Sequence, residues 1–241
     1  MTTLQDTPQK TLPPLQSGDR LTRNEFEQRY EKMPPGVRAE LIEGTVYVMM
    51  KPVSEGFHGG QHFDAIVWLG IYKAATPGLI GGDNSSLRMD LANEPQPDAY
   101  LRIPSELGGR SRLDADGYVV GAPELIVEIA ASSVSYDVGT KLDTYCRNGV
   151  QEYVVFRTYD NAVDWFVRHD GKYQPLPIGS DGVYRSEVFP GLWLDATAAL
   201  NGNLANLIET VRQGIASVEH AAFLKKLSFC AFRLKTSLNS W

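Results

Sequence analysis

The segment Leu125-Ile-Val-Glu-Ile-Ala130 constrains the fold of this chain more than any other. Apart from Glu128 it is apolar on both faces of an extended chain, and such a run is typical of a central strand covered on both sides. A carboxylate there is unfavourable unless it is paired with a cation or bound to a metal. We therefore predict a mixed α/β domain around this strand. For Glu128, an ion pair, a position at the strand end facing water and a functional ligand all stay open.

Signals before this strand predict further elements. Thr22 is a suitable N-cap for a short helix, and Glu43-Gly44 is a suitable turn for a hairpin running from Glu40 to Met50. A helix is predicted over residues 62–75. Its apolar positions at helical spacing are Phe63, Ile66, Val67, Gly70 and Ile71.

The length suits one generous domain with extensions. Residues 1–20 are polar and rich in turn formers, which predicts a flexible N-terminal arm. We predict one domain over residues 21–200, in which residues 105–120 form a surface loop. Residues 201–241 are predicted to be a C-terminal helical extension and tail, without clear organisation after residue 227.

Composition limits the classes of function. The formal net charge of −6 argues against a broad phosphate-binding surface, although a local basic groove remains compatible with it. Cys146 and Cys230 lack the spacing of a zinc site. Neither a signal peptide nor a membrane-spanning run is evident, so we expect a cytoplasmic protein without a membrane partner.

Two further polar residues stand near the predicted strand. Asp98 follows Pro97 at the start of another strand, where a sheet meets solvent, or it hydrogen-bonds the adjoining turn. Lys141 lies on the following helix, where it forms either part of a site or a solvated pair with Asp137 four residues earlier.

Together, Asp98, Glu128 and Lys141 match one chemistry. Two carboxylates can hold a hard divalent cation, which polarises a phosphate and lowers the pKa of bound water. A lysine ammonium can orient that water or stabilise charge on the phosphate. The chain contains no Walker loop, GxGxxG or nucleophile elbow that competes with this interpretation.

The chain also resembles the Uma-two-type family of restriction endonucleases within the PD-(D/E)XK nuclease superfamily. The resemblance covers about residues 22–196 and depends on the order and spacing of short pieces. These are Glu40-Leu-Ile-Glu-Gly, Ser54 with His58, Gln96-Pro97-Asp98, Pro123-Glu-Leu-Ile-Val-Glu-Ile129, Asp137-Val-Gly-Thr-Lys-Leu-Asp-Thr-Tyr145, Gly149-Val-Gln-Glu-Tyr153 and Phe189-Pro-Gly-Leu192.

The resemblance implies a restriction-endonuclease-like core, a mixed β-sheet flanked by helices with additional β-hairpins. It implies that Asp98 and Glu128 bind the metal and that Glu40 is a further acidic site residue. The superfamily lysine normally stands two residues after the Glu, where this chain has Ala130, so the resemblance points to Lys141 instead.

Two more residues are weaker candidates. His58 matches a frequent family position near the site, but a lone histidine in a Gly-rich loop is also typical of a surface or capping residue. Tyr145 is a candidate for supporting Lys141, although core packing explains it as well.

The leading hypothesis is a Mg²⁺- or Mn²⁺-dependent endonuclease that acts on DNA. The resemblance further implies a homodimer. A catalytically silent nuclease-like module for binding or assembly is the alternative, motivated by the acidic balance and the lack of a base-reading motif. A hydrolase of nucleotides or small phosphoesters is a third option, and it would bind metal but ignore DNA polymers.

Overall fold

The computed structural model describes residues 12–49, 58–131 and 133–238, the last stretch with side chains to residue 230. The α-helices are α1 Arg23–Tyr30, α2 Gly60–Ala75, α3 Val134–Tyr136, α4 Leu142–Asn148, α5 Ala196–Leu200, α6 Leu204–Ile215 and α7 Val218–Leu238. The strands are β1 Arg38–Ile42, β2 Thr45–Met49, β3 Ile80–Gly82, β4 Leu87–Arg88, β5 Ala99–Arg102, β6 Arg112–Leu113, β7 Val119–Val120, β8 Leu125–Ala130, β9 Glu152–Arg157, β10 Ala162–His169, β11 Lys172–Pro175, β12 Val183–Arg185 and β13 Trp193–Asp195.

A six-stranded sheet in the order β11-β10-β9-β8-β5-β3 forms the centre of the fold. Strands β8 and β9 run parallel, whereas the other neighbours in this sheet are antiparallel. The hairpins β1-β2 and β12-β13 and a small sheet of β4, β7 and β6 are added to it. The predicted mixed fold, with helices on the sheet and additional hairpins, is confirmed.

Strand β8 is buried along its whole length, as its sequence predicts. Its residues Leu125, Val127 and Ile129 face a core that also contains Trp68 and Tyr72 of α2. The alternate residues Ile126 and Ala130 belong to a second core, on the other side of the sheet. Because side chains alternate along a strand, Glu128 belongs to this second side.

Helix α1 begins at the predicted N-cap. The Thr22 side chain accepts from the Glu25 backbone N–H, and Glu25 accepts in return from the Thr22 backbone. Phe26 of α1 packs against the β1-β2 hairpin, whose turn at Glu43-Gly44 is also as predicted. The hairpin is therefore attached to the domain through its own small core.

The helix predicted over residues 62–75 is confirmed as α2. It buries Ala65, Trp68, Leu69 and Tyr72 and leaves Phe63 62% exposed, because the sheet and the C-terminal helices cover the opposite face. Two other local predictions were wrong. Residues 105–120 contain a 3₁₀ turn and strands β6 and β7, not only loop. Helix α7 continues through the stretch after residue 227.

The terminal segments contact the domain. The carbonyls of Pro13 and Pro14 accept hydrogen bonds from Arg29, and Leu15 is buried. At the other end, Leu207 and Val211 of α6 belong to the main core. Within the described ranges, no helix is both long enough and apolar enough to cross a membrane.

Candidate active site

Neighbouring strands bring Asp98 and Glu128 together. In the antiparallel pairing of β5 with β8, Ala99 stands opposite Val127. The next pair in this register is Asp98 with Glu128, and the Asp98 backbone N–H lies 3.4 Å from Glu128 Oε2. Asp98 Oδ2 accepts from the Ile129 backbone N–H at 2.8 Å. The two carboxylates are thus held by the sheet itself.

Lys141 reaches Glu128 from a distorted helix. Between α3 and α4 the chain forms a π turn over Asp137–Lys141, and such turns are frequent at functional sites. The Asp137 carbonyl accepts from the Tyr153 hydroxyl of β9 at 3.0 Å. Lys141 Nζ donates to Glu128 Oε1 at 2.9 Å and is 96% buried, so the alternative of a solvated lysine does not hold.

The ammonium of Lys141 contacts further carboxylates. Its Nζ lies 3.0 Å from Glu40 Oε1 and 3.7 Å from Asp137 Oδ1. Glu40 also accepts from the Gln96 backbone N–H at 2.7 Å, which connects β1 to the segment that leads into Asp98. The pair of Asp137 and Lys141 therefore exists, but it is buried inside this cluster.

Tyr145 and His58 each contact one carboxylate. The Tyr145 hydroxyl donates to Glu128 Oε1 at 2.8 Å, on the same oxygen as Lys141. His58 Nε2 lies 3.4 Å from Asp98 Oδ1, and His62 Nε2 is 2.8 Å from the Asp98 backbone oxygen. His58 and His62 stand at the start of α2, so this helix end covers Asp98.

The centre holds more negative than positive groups. Burial raises the pKa of Glu128 well above its ordinary value, and although Lys141 lowers it, the other carboxylates raise it further. Burial lowers the pKa of Lys141, but the charges of Glu128, Glu40 and Asp137 outweigh burial and raise it well above the ordinary range. Lys141 is therefore an ammonium with three carboxyl neighbours, and its single charge cannot neutralise all of them.

Asp98 behaves differently from Glu128. Burial disfavours its charged form, but the hydrogen bond and charge of His58 and the Ile129 backbone N–H hold the pKa of Asp98 below its ordinary value. Asp98 is thus ionised and lies beside a Glu128 that prefers a proton. A second cation at this place would favour the ionised form of both.

The free lone pairs fit a divalent cation. Glu128 Oε1 is occupied by Lys141 and Tyr145, whereas within the described part of the chain Glu128 Oε2 has only the long contact from the Asp98 N–H. Asp98 Oδ1 faces His58. Among the described residues, no set of three or more His, Cys, Asp or Glu side chains is arranged as a complete metal site. That is compatible with Mg²⁺, which is commonly held by one or two carboxylates, with waters and substrate phosphates as its other ligands.

The structure brings together Glu40, His58, Asp98, Glu128, Lys141 and Tyr145, the full set that the sequence and the resemblance suggested. Sequence reasoning missed the burial of Asp137 and the contact of His62. For Asp137 the signal was available, since it lies four residues before Lys141 on a helix. For His62 no pattern in the sequence pointed to Asp98.

Comparison with known families identifies the family of this chain. Residues 23–197 match the family described as "Uma2: Putative restriction endonuclease". The chain belongs to this family. The match contains every candidate site residue, and membership of a restriction-endonuclease family supports a nuclease function. No curated protein matches the chain.

A solved structure shares the fold. It is described as the crystal structure of "a putative nuclease belonging to DUF820" from Anabaena variabilis, and the two chains are 16% identical. The match covers 72% of this chain and 97% of that one, with a TM-score of 0.54. At this identity the likeness establishes the common fold and nothing finer.

Proposed function

We propose that this protein is a Mg²⁺- or Mn²⁺-dependent endonuclease that hydrolyses DNA phosphodiester bonds. One observation carries the proposal: Asp98 and Glu128 face each other on neighbouring strands, in a buried cluster where carboxyl groups outnumber the single lysine. Membership of the nuclease family adds independent support.

Each residue has a role in this proposal. Asp98 and Glu128 would hold the cation, which when bound polarises the phosphodiester and lowers the pKa of a water. Lys141 keeps Glu128 in position and presents an ammonium that orients water or stabilises charge on the phosphate. Glu40 and Tyr145 hold Lys141 and Glu128 in place.

The histidines act on the other carboxylate. His58 favours the ionised form of Asp98 and restrains its Oδ1, and His62 contacts the Asp98 backbone oxygen. Neither histidine needs to contact DNA for these roles.

We further propose that the protein is a homodimer, as the resemblance to restriction endonucleases implies, and that it works in the cytoplasm.

Calorimetric titration of Mn²⁺ tests the site without any guess about substrate. Wild-type protein should bind Mn²⁺, whereas Asp98→Asn and Glu128→Gln should weaken binding at least tenfold and abolish cleavage of plasmid and single-stranded DNA. Glu152→Gln is the matched control, because Glu152 is a buried carboxyl that bonds Ser186 and the backbone of 187–188, away from this cluster. Cleavage by folded Glu128→Gln at the wild-type rate would refute the assignment.

A specific observation also favours the silent module as the second candidate. Lys141 already bonds Glu128 and Glu40, so a cation at Glu128 Oε2 would share this carboxylate with an existing ion pair. The net charge of −6 further weakens non-specific binding to DNA. Folded wild-type protein that binds no Mn²⁺, either alone or with DNA present, would favour this candidate.

A further inference from the structure

A groove of about 860 Å³ adjoins the start of α2. One wall is the first turn of that helix, with Phe63, Asp64 and the segment 59–61, and the other is the junction of α5 and α6 at residues 200–202. Phe63 is 62% exposed in it. We call this feature the Phe63 groove. Its volume is in the range of pockets that take small organic molecules.

The Phe63 groove begins at the end of α2 that contacts the acidic centre. Residues 59–61 of its wall stand between His58, whose Nε2 lies 3.4 Å from Asp98 Oδ1, and His62. His62, whose ring contacts the Asp98 backbone oxygen at 2.8 Å, is the chain neighbour of Phe63. Successive residues of a helix point about 100° apart, so Phe63 leaves the same turn in a different direction from His62. We infer that a strand with its phosphate at Asp98 places a neighbouring nucleoside at this groove, because both adjoin the first turn of α2.

The chemistry of the groove fits a base and not a phosphate. Among the residues that the structure describes, its lining contains no Lys or Arg, and Asp64 repels an anion. What it offers is an aromatic face and the amide of Asn201. Aromatic faces stack on unpaired bases, and amides and carboxylates bond their edges.

We propose that the Phe63 groove binds one unpaired nucleobase of the DNA substrate, next to the cleaved phosphate, with Phe63 as its stacking face. The inference rests on the proposed nuclease function and adds a substrate class, single-stranded or locally unpaired DNA. Bases in an intact duplex remain stacked and do not enter. Binding through stacking also suits a chain whose net charge is −6, because stacking does not depend on a basic surface.

Fluorescence anisotropy with a labelled 20-nucleotide single strand and the matching duplex, both with Ca²⁺ in place of Mg²⁺ so that a cation is present but cutting is suppressed, tests the groove. Phe63→Ala should weaken single-strand binding between about 5-fold and 150-fold, the range expected for one stacked base. Duplex binding should stay unchanged. Phe63→Trp should retain single-strand affinity, and Leu91→Ala, which truncates another exposed apolar side chain, should have no effect.

Single strands with one abasic position locate the base. As the abasic site is moved along the strand, one position should lower the affinity of the wild type to that of Phe63→Ala. At that position the abasic site should not lower the affinity of Phe63→Ala any further. Equal losses on single strand and duplex, or no loss on either, would overturn the groove.

Analytical ultracentrifugation of the same proteins tests whether a second copy of this chain occupies the groove instead. If Phe63→Ala changes the oligomeric state while single-strand affinity per subunit is kept, the groove is a subunit interface and the base-binding proposal is wrong. Failure of the proposed nuclease function would give different results from failure of the groove proposal. In that case Glu128→Gln cleaves like wild type, or wild type neither binds nor cuts any DNA.

Discussion

At the scale of single residues, the charge of Lys141 decides the state of the centre. Its ammonium lies 2.9 Å from Glu128 and 3.0 Å from Glu40, and these partners are almost fully buried. Removing one partner of a buried ion pair leaves the other charge without compensation, which is more unfavourable than never having had the pair. Lys141 therefore contributes to stability as well as to any chemistry.

Lys141→Met should lower the free energy of unfolding by about 3–5 kcal/mol in chelator. Added Mn²⁺ should restore part of this loss, because a cation bound by Asp98 and Glu128 replaces the missing charge. Urea denaturation with and without Mn²⁺ measures both effects. Lys226→Met, on an exposed position of α7, is the control and should leave stability within about 0.5 kcal/mol of wild type. A Lys141→Met protein as stable as wild type in chelator would show that the ion pairs are not needed.

At the scale of elements, Glu152 connects the start of β9 to the segment after β12. Its carboxyl accepts from the Ser186 hydroxyl at 2.6 Å and from the backbone N–H groups of Glu187 and Val188 at 2.7 and 3.1 Å. Burial nevertheless dominates and raises the pKa of Glu152 from 4.5 to about 7. This contact between elements should therefore depend on pH.

Between pH 4.5 and about 7 the folded protein keeps a proton on Glu152 that the unfolded chain has released. The contribution of Glu152 to the free energy of unfolding is thus full below pH 4.5 and falls as the pH rises through about 7, by on the order of 3 kcal/mol. Glu152→Gln should match wild type near pH 4.5 and be more stable at pH 8.

Urea denaturation at several pH values compares Glu152→Gln with the exposed control Glu209→Gln. The control should follow the wild-type profile. If the difference between wild type and Glu152→Gln is constant across this range, the pKa of Glu152 is not raised by folding.

At the scale of the whole molecule, two glycines connect the C-terminal helices to the sheet domain. A Cβ on Gly214 of α6 would lie 2.2 Å from the Gly191 carbonyl oxygen and 2.8 Å from Trp193 Cγ. Backbone meets backbone here, so no side-chain rotation relieves the clash. Helix α6 can pack this close to the turn before β13 only because both positions lack a side chain.

Gly214→Ala should therefore lower the free energy of unfolding by about 1–3 kcal/mol, as overpacking does in other cores. Gly70→Ala is the matched control, because Gly70 is also helical but a Cβ there meets nothing within 4 Å. The control should be neutral or up to about 1 kcal/mol more stable. Chemical denaturation followed by tryptophan fluorescence distinguishes the two, and equal stabilities would show that α6 does not need this close approach.

The sequence by itself determined the central strand, the hairpin and the capped first helix, and it singled out Asp98, Glu128 and Lys141 as candidates for one site. These features follow from short-range patterns in the sequence. Thr22 caps the first helix, and an apolar run that a single carboxylate interrupts forms the central strand. Family resemblance supplied Glu40, since one acidic residue at the start of a hairpin carries no signal of its own. Periodicity predicted helix α2 but not its buried face, because Phe63 and Trp68 are both apolar and only the sheet decides which of them is covered.

Only the tertiary structure decided how the centre is charged. Asp98, Glu128 and Lys141 meet because β5 and β8 pair in one register and a π turn directs the lysine toward the sheet. The same π turn places Asp137 next to Lys141. His62 contacts Asp98 because α2 begins beside the start of β5. These contacts join segments far apart in the chain, and their distances and burial set the pKa values, so no local pattern could predict them.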